Sequence, residues 1–167
     1  VVGEGVYQEN IVFEDREVTV TGRDPFDPEV IDATVIDGGG AGSAVSFLYG
    51  GDAEQALKGF TIRNGAGQFG GGIYIDSSHP AINHCRVIDN NSSFSGGGIG
   101  IKNSNDYEVL ISDCRISNNA SDYGSGLCIW GSNARLENII ISGNEGESGG
   151  GLGVTSGSNL EMTNSTI

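Results

Sequence analysis

The amino-acid sequence predicts an all-β fold, a parallel β-helix (solenoid) of about six coils. Three observations support this prediction: similar strings recur at a nearly fixed period, apolar residues alternate within them, and glycine precedes many of them. The 167 residues suffice for one domain with a substantial core, and no serine-glycine linker divides them. We therefore predict a single solenoid domain over residues 1–167.

The repeat consists of two interleaved series of strings. The first series is GGGIYI at 70–75, GGGIGI at 96–101, GSGLCI at 124–129 and GGGLGV at 149–154. The second is FTIRNG at 60–65, CRVIDN at 85–90, CRISNN at 114–119 and IIISGN at 139–144. Each series recurs about every 25 to 29 residues, so every coil is expected to contain two strands. Related strings at 18–22, 33–38, 44–48 and 165–167 extend the repeat over nearly the whole chain.

Within the strings, every second residue is apolar, as in Ile73 and Ile75 or Ile99 and Ile101. A period of two indicates strands with one buried face, and no helix longer than a turn is expected. Short strands that cannot bury this face alone must stack at about 4.8 Å per coil. The sequence therefore predicts a solid apolar interior in which Ile73 lies over Ile99 and Leu127.

The corners between strands are expected to use glycine and asparagine. The chain has 29 glycines, and those before Ile73, Ile99 and Leu152 fit a sharp corner that recurs in every coil. Two columns of polar residues mark a second corner: Asn64, Asp89 and Asn118, and then Asn90, Asn119 and Asn144. Stacked side-chain amides can bond to one another and to the backbone, which predicts a structural ladder.

The composition excludes several classes of partner. Eight Lys and Arg residues against 22 Asp and Glu give a net charge of −14, which argues against nucleic acid and against anionic membrane surfaces. No apolar stretch reaches the roughly 18 residues of a membrane helix. The acidic residues are expected to form a solvated surface. Calcium is the one metal left open, at Asp32 and Asp37 or at Asp89, although no calcium-binding motif is present.

Three cysteines do not make a disulfide framework. Cys85 and Cys114 occupy equivalent inward positions in consecutive coils, where they are expected to act as small buried hydrophobic residues. Stacked neighbours are close enough that a disulfide between them stays open. Cys128 alternates outward between Leu127 and Ile129, which predicts a surface thiol.

The strings GVYQENIVF, TVIDGGG, LKGFTIRNG and GGGIYI, followed by the repeated C-R-[VI]-x-[DN]-N and GGGI strings, permit a family comparison. Together they resemble the secreted bacterial right-handed parallel β-helix proteins of the pectin-lyase-like superfamily. They are also distantly similar to the GGAI-type repeats of polymorphic outer-membrane adhesins. The resemblance implies a right-handed solenoid and an extracellular or cell-surface location. It does not fix a function, because the superfamily includes lyases, hydrolases, epimerases, adhesins and non-catalytic parts.

Arg63, Arg86 and Arg115 occupy outward positions of one strand series, and Arg86 is expected to stack under Arg115. One interpretation is that each pairs with a nearby carboxylate, such as Asp113, Asp89 or Glu137. The other is a strip that recognises acidic polysaccharide, since arginine can hold a carboxylate through two parallel hydrogen bonds.

Tyr74, Tyr123 and Trp130 are the aromatic residues expected at the surface. Single exposed rings are ordinary in proteins. A flat ring on a long groove is also a way to bind sugars, so Tyr74 and Trp130 join the three arginines as candidate ligand-binding residues.

Motifs bear on the choice between a binding module and an enzyme. Lyases of the resembled superfamily combine clustered acids and an arginine base, often with a W-I-D-H strand, whereas Trp130 lies in C-I-W-G-S. The N-T-D, D-D, G-H-G and R-x-K strings of its hydrolases are absent, and His79 and His84 are expected to be structural or solvated. We therefore predict an extracellular non-catalytic module, acting as a scaffold, adhesin or glycan-binding segment, without a cofactor. The alternative is a lyase or hydrolase domain acting on acidic polysaccharide, since paired carboxylates could still converge in space.

The two ends of the chain carry a separate expectation. The sequence opens on VVGEGVY close to the first strand and stops within a strand at Ser165, Thr166 and Ile167. No capping segment is recognisable at either end, and an uncovered coil is a template for further strands. Either the chain is part of a longer protein or its subunits stack head to tail into a filament.

Overall fold

A computed structural model describes residues 1–50, 54–155 and 157–167 and shows a solenoid of parallel strands. Three six-stranded sheets, which we call A, B and C, run along its length. Each coil contributes one strand to sheet A, then one to sheet C and one to sheet B. The prediction of an all-β parallel solenoid of about six coils is confirmed.

The strands of each sheet follow one another coil by coil. Sheet A consists of β1 (Gly5–Gln8), β4 (Thr34–Asp37), β7 (Thr61–Arg63), β11 (Arg86–Ile88), β15 (Arg115–Ser117) and β18 (Ile140–Ser142). Sheet B consists of β3 (Val18–Thr21), β6 (Gln55–Lys58), β10 (Ala81–Asn83), β14 (Glu108–Ser112), β17 (Asn133–Glu137) and β20 (Asn159–Thr163). Sheet C consists of β2 (Ile11–Phe13), β5 (Val45–Leu48), β9 (Ile73–Asp76), β13 (Ile99–Lys102), β16 (Leu127–Trp130) and β19 (Leu152–Val154). Two further strands, β8 (Ala66–Phe69) and β12 (Asn91–Ser95), pair with each other.

The register of sheet C is the predicted one, with Ile73 beside Ile99 and Ile99 beside Leu127. All three side chains are fully buried, and the apolar core continues through the coils. The expectation of two strands per coil is wrong, because sheet B supplies a third. Its strands share alternation but no common string, as QALK, EVLIS and NARLE illustrate.

A short helix, α1 (Pro28–Ala33), also departs from the sequence prediction. It packs against β4 and β7 on the outer side of sheet A, where Val30 and Ile31 are buried. Asp27 caps its first turn by accepting a hydrogen bond from the Glu29 N–H at 2.9 Å. An acidic cap followed by Pro28 is a helix-start signal, but six residues are too few to show a helical apolar period.

The corner after sheet A contains the predicted asparagine ladder. The Asn90 Nδ2–H donates to Asn119 Oδ1 at 3.0 Å, and the Asn119 Nδ2–H donates to Asn144 Oδ1 at 3.0 Å. Each amide nitrogen also donates to a backbone carbonyl of the preceding coil, as Asn119 does to Val87 at 2.9 Å. Asn90 and Asn119 are 2% and 1% exposed, so the ladder satisfies corner backbone groups that water does not reach.

The neighbouring column of this corner has left-handed backbone geometry. The φ angles are 53° at Asn64, 55° at Asp89 and 57° at Asn118, and Gly143 follows at 63°. Asparagine, aspartate and glycine tolerate this region better than other residues, which explains the composition of the column.

A covering layer, formed by β8, β12 and the segments 120–124 and 145–149, lies over the outer face of sheet C. Glycine in that face permits the close approach, since a Cβ at Gly100 would lie 2.6 Å from the Gly70 nitrogen. Cys128 lies in the same outward column, between Gly100 and Gly153. It is 1% exposed, so the prediction of a surface thiol is wrong. A layer folded over the sheet is not visible in the alternation of a single strand.

Cys85 and Cys114 stack at the corner between sheets B and A, and both are buried free thiols. The Cys85 backbone N–H donates to Cys114 Sγ at 3.3 Å. In the last coil a hydroxyl takes this place, because Ser165 Oγ accepts from the Ile139 N–H at 3.1 Å. Burial raises the pKa of the Cys114 thiol well above its usual range, so the group stays neutral.

Candidate functional site

Two of the five candidate ligand-binding residues, Tyr74 and Trp130, lie on the outer face of sheet C. Asp76, Lys102 and Trp130 are adjacent in register in three consecutive coils and form a column at the ends of their strands. Tyr74 stands two residues before Asp76 on the same face. Sheet C therefore places one acid, one base and two aromatic rings side by side.

The covering layer adds two rings and completes an aromatic cluster of Phe69, Phe94 and Trp130. The Phe69 and Phe94 centroids are 5.1 Å apart, and the Trp130 ring lies 6.1 Å from Phe69 and 6.2 Å from Phe94. Trp130 is 44% exposed and Phe94 is 42% exposed. Rings in this contact stabilise one another and still present a half-open apolar surface.

Asp76 is the centre of the polar part of the site. Its carboxylate accepts hydrogen bonds from the Tyr74 hydroxyl at 2.7 Å, the Asn103 amide at 2.9 Å and the Ser77 hydroxyl at 3.1 Å, and Lys102 Nζ lies at 3.5 Å. Burial alone would raise the pKa of Asp76, but the three donors and the Lys102 charge outweigh it and lower the pKa. Asp76 is thus an ionised anchor that three hydrogen-bond donors and the Lys102 charge hold in place.

Lys102 contacts both the Asp76 carboxylate and the aromatic rings. Its Nζ lies 5.2 Å from the centroid of Phe69 and 5.5 Å from that of Tyr74, both within cation–π range. The Tyr74 hydroxyl and, further, the charge of Asp76 raise the pKa of Lys102 despite partial desolvation. Its side chain is 29% exposed, so the ammonium group is held in place and can still donate to a bound molecule.

A small hollow continues this surface around the corner from sheet C to sheet B. Asn103, which donates to Asp76, also lines the hollow. The His79 and Tyr107 rings stack there with centroids 4.4 Å apart and an interplanar angle of 29°. The remaining lining residues are polar: Ser77, Ser78, Ser104 and Asp106. The hollow and the aromatic cluster thus share one edge of the solenoid.

The three candidate arginines lie elsewhere, on the outer face of sheet A. Arg86 stacks on Arg115 as predicted, whereas Arg63 belongs to the next outward column. The expectation of a carboxylate partner is confirmed for Arg63 and Arg86, although the partners are not the ones named from the sequence. Arg63 Nε donates to Asp37 at 3.0 Å, Arg86 pairs with Asp32 of α1, and Arg115 Nε contacts the Ser117 hydroxyl at 3.4 Å.

These ion pairs bear on the calcium expectation. Asp32 pairs with Arg86, and Asp37 pairs with Arg63. Burial alone would raise the pKa of Asp37, but its hydrogen-bond donors outweigh burial and lower the pKa. Across residues 1–50, 54–155 and 157–167, no group of three or more His, Cys, Asp or Glu side chains is placed to hold a metal ion.

Sequence reasoning missed Lys102, Asp76, Phe69 and Phe94 as members of the site. A signal for them exists in the repeat. Aligning the GGG strings places Asp76, Lys102 and Trp130 at one position, and a phenylalanine occurs just before the glycines in QFGGG and FSGGG. The contact between the two sets could not be predicted, because it depends on the covering layer.

A family described as the right-handed beta helix region matches residues 30–167. This span contains the aromatic cluster, the Asp76 anchor and the hollow. No curated protein and no solved structure matches the chain. In the part of the chain that the structure describes, no helix is long and apolar enough to cross a membrane.

Proposed function

Since this chain belongs to the right-handed β-helix family, we propose that it is a non-catalytic module that binds neutral glycans on the outer face of sheet C. The observation that carries the proposal is the half-exposed aromatic cluster beside a fixed lysine. A sugar ring presents an apolar C–H face and a rim of hydroxyl groups. The rings of Trp130 and Phe94 suit the face, and the donors of Lys102 suit the rim.

Charge favours a neutral ligand over an acidic one. The chain has a net charge of −14, so a polyanion would be repelled at long range. At the site itself the charge of Lys102 is offset by Asp76 at 3.5 Å. The ammonium group therefore serves better as a hydrogen-bond donor to hydroxyl groups than as a partner for carboxylates.

Location and assembly are part of the same proposal. A glycan-binding solenoid fits an extracellular or cell-surface role, as a scaffold or an adhesin whose recognition surface is the face of sheet C. It needs no cofactor for stacking and hydrogen bonding. End-to-end stacking of subunits stays a prediction.

Binding measurements on a single substitution test the proposal. Trp130→Ala should weaken binding to a neutral polysaccharide by about tenfold or more, because it removes stacking worth ~0.5–1.5 kcal/mol together with apolar contact. Phe26→Ala is the matched control, since it removes a ring that is 72% exposed and packs on His84 away from sheet C. Equal affinity of wild type and Trp130→Ala for every glycan bound would contradict the proposed site.

One observation favours a second candidate function, a lyase or hydrolase domain acting on acidic polysaccharide. Arg115 is exposed, and in the described part of the chain no carboxylate lies within ion-pair distance of it. Incubation with polygalacturonate, with and without calcium, separates the two functions. Product formation that Arg115→Ala or Arg86→Ala abolishes would establish the enzyme and overturn the non-catalytic assignment.

A further inference from the structure

We infer that the aromatic cluster and the corner hollow form one continuous site for a single, soluble glycan chain that bends over the edge of the solenoid. This inference rests on the proposed function and specifies the physical form of the ligand. It has two independent parts: the relative orientation of the rings, and the continuity of the surface around the corner.

The rings of the cluster are not coplanar. Trp130 stands at 79° to Phe69 and at 41° to Phe94, and Phe69 and Phe94 are inclined by 53°. The ordered chains at the surface of a crystalline polysaccharide present one flat face, and a binding surface for them needs rings in one plane. A cluster whose rings point in three directions can stack on one sugar unit at a time, as a separate chain in solution allows.

Two residues at the corner also connect the outer face of sheet C to the hollow. Ser77 and Asn103 follow Asp76 and Lys102 directly in the chain and occupy the corner with left-handed φ angles of 52° and 56°. Asn103 is exposed, and its amide donates to Asp76 at 2.9 Å, which fixes its side-chain oxygen as an acceptor for ligand hydroxyl groups. A ligand stacked on Trp130 therefore meets polar groups on the way to the hollow.

The hollow offers a second stacking position beyond the corner. Tyr107 is 49% exposed and stacks on His79, and both rings line the hollow beyond the corner between sheets C and B. Serine hydroxyls and the Asp106 carboxylate surround it and match the rim of a sugar unit. A chain that occupies both positions must bend, which a flexible chain does and a rigid crystal surface does not.

Three matched pairs of probes test the physical form of the ligand: cellohexaose and crystalline cellulose, chitohexaose and crystalline chitin, and mannohexaose and crystalline mannan. We expect the wild-type chain to bind at least one hexasaccharide in calorimetry and to remain unbound in sedimentation with the matching crystalline form. Binding to the crystalline form with equal or higher affinity would overturn the inference and leave the proposed function intact. Absence of binding to any probe would overturn both.

Chain length tests the continuity of the site. For the hexasaccharide that binds, Tyr107→Ala should reduce affinity about threefold to tenfold. For the disaccharide of the same series, which is too short to span both positions, Trp130→Ala should reduce affinity and Tyr107→Ala should not. Equal effects of Tyr107→Ala and the control Phe26→Ala on the hexasaccharide would show that the hollow does not belong to the site.

Discussion

At the scale of single residues, the corner after sheet A depends on individual asparagine residues. Asn119 receives hydrogen bonds from the Asn90 backbone and side chain, each at 3.0 Å, and donates to the next coil and to Val87. Its neighbour Asn118 is exposed and has φ 57°. Asn119 is therefore a buried hydrogen-bonding group, whereas Asn118 occupies an exposed position with a left-handed backbone conformation.

Substitutions at this pair separate the two roles. Asn119→Ala should destabilise the fold by about 2 to 4 kcal/mol, because buried partners in two coils lose their hydrogen bonds. Asn118→Gly should be nearly neutral, since glycine already occupies the equivalent position at Gly143. Chemical denaturation of both variants measures the difference, and a similar loss of stability in the two would contradict the assignment.

The stacked thiols give a second prediction at this scale. Cys114→Ala should destabilise more than Cys114→Ser, because alanine leaves the buried Cys85 N–H without an acceptor, at about 1 to 3 kcal/mol. Serine can take the role that Ser165 has, where the hydroxyl accepts from Ile139 and donates to the Thr163 carbonyl at 2.8 Å. Thermal unfolding of the two variants decides the order, and a more stable alanine variant would exclude Sγ as a useful acceptor.

The lowered pKa of Asp76 predicts that its contribution to the stability of the fold is lost at acidic pH. Its pKa is lowered in the folded chain, so its contribution to stability is fully present above its ordinary pKa of about 3.9. The contribution is lost as the pH falls through the lowered value. The difference in stability between wild type and Asp76→Asn should therefore be largest near neutral pH and shrink below pH ~4. A difference that stays constant down to strongly acidic pH would contradict the ionised anchor.

At the scale of elements, the face of sheet C depends on the absence of side chains. Gly100 and Gly153 leave room for the covering layer, which in turn carries Phe69 and Phe94 to the site. Gly100→Ala should cost about 1 to 3 kcal/mol, because its Cβ would lie 2.6 Å from the Gly70 nitrogen.

Equilibrium unfolding checks this cost, and Gly3→Ala is the control, because a Cβ there meets nothing within 4 Å. Displacement of the covering layer should also alter the tryptophan fluorescence, since Trp130 contacts Phe69 and Phe94. A Gly100→Ala variant with unchanged stability and fluorescence would show that the layer is not fixed by this contact.

The three sheets differ in how well the sequence predicts them. Sheets A and C could be predicted because strict periodicity and the repeated strings act together, down to the pairing of Ile73 with Ile99. Sheet B was missed because alternation without a shared string is a weak signal. The candidate site could be predicted only in part: Tyr74 and Trp130 could be proposed as exposed rings, whereas the contact of Lys102 with Phe69 depends on tertiary packing.

At the scale of the whole molecule, the solenoid assigns different chemistry to different faces. The outer side of sheet A is partly covered by α1 and carries arginines paired with Asp32 and Asp37. The outer side of sheet C carries the aromatic cluster, and the edge between sheets C and B carries the hollow. Because every coil repeats the same frame, a change of residue at one position of one coil can alter a face without altering the core.

The asparagine ladder and the strand pairs have a mechanical consequence, since they connect each coil to the next along the axis of the solenoid. Under tension between the two ends, these connections act in series, and only the weakest interface yields at any moment. The chain should therefore lengthen in discrete steps of one coil, each releasing about 25 to 29 residues or roughly 80 to 100 Å of contour length. Single-molecule force spectroscopy would record these steps as a series of small, evenly spaced extensions. One abrupt extension of the whole chain would contradict stepwise unfolding.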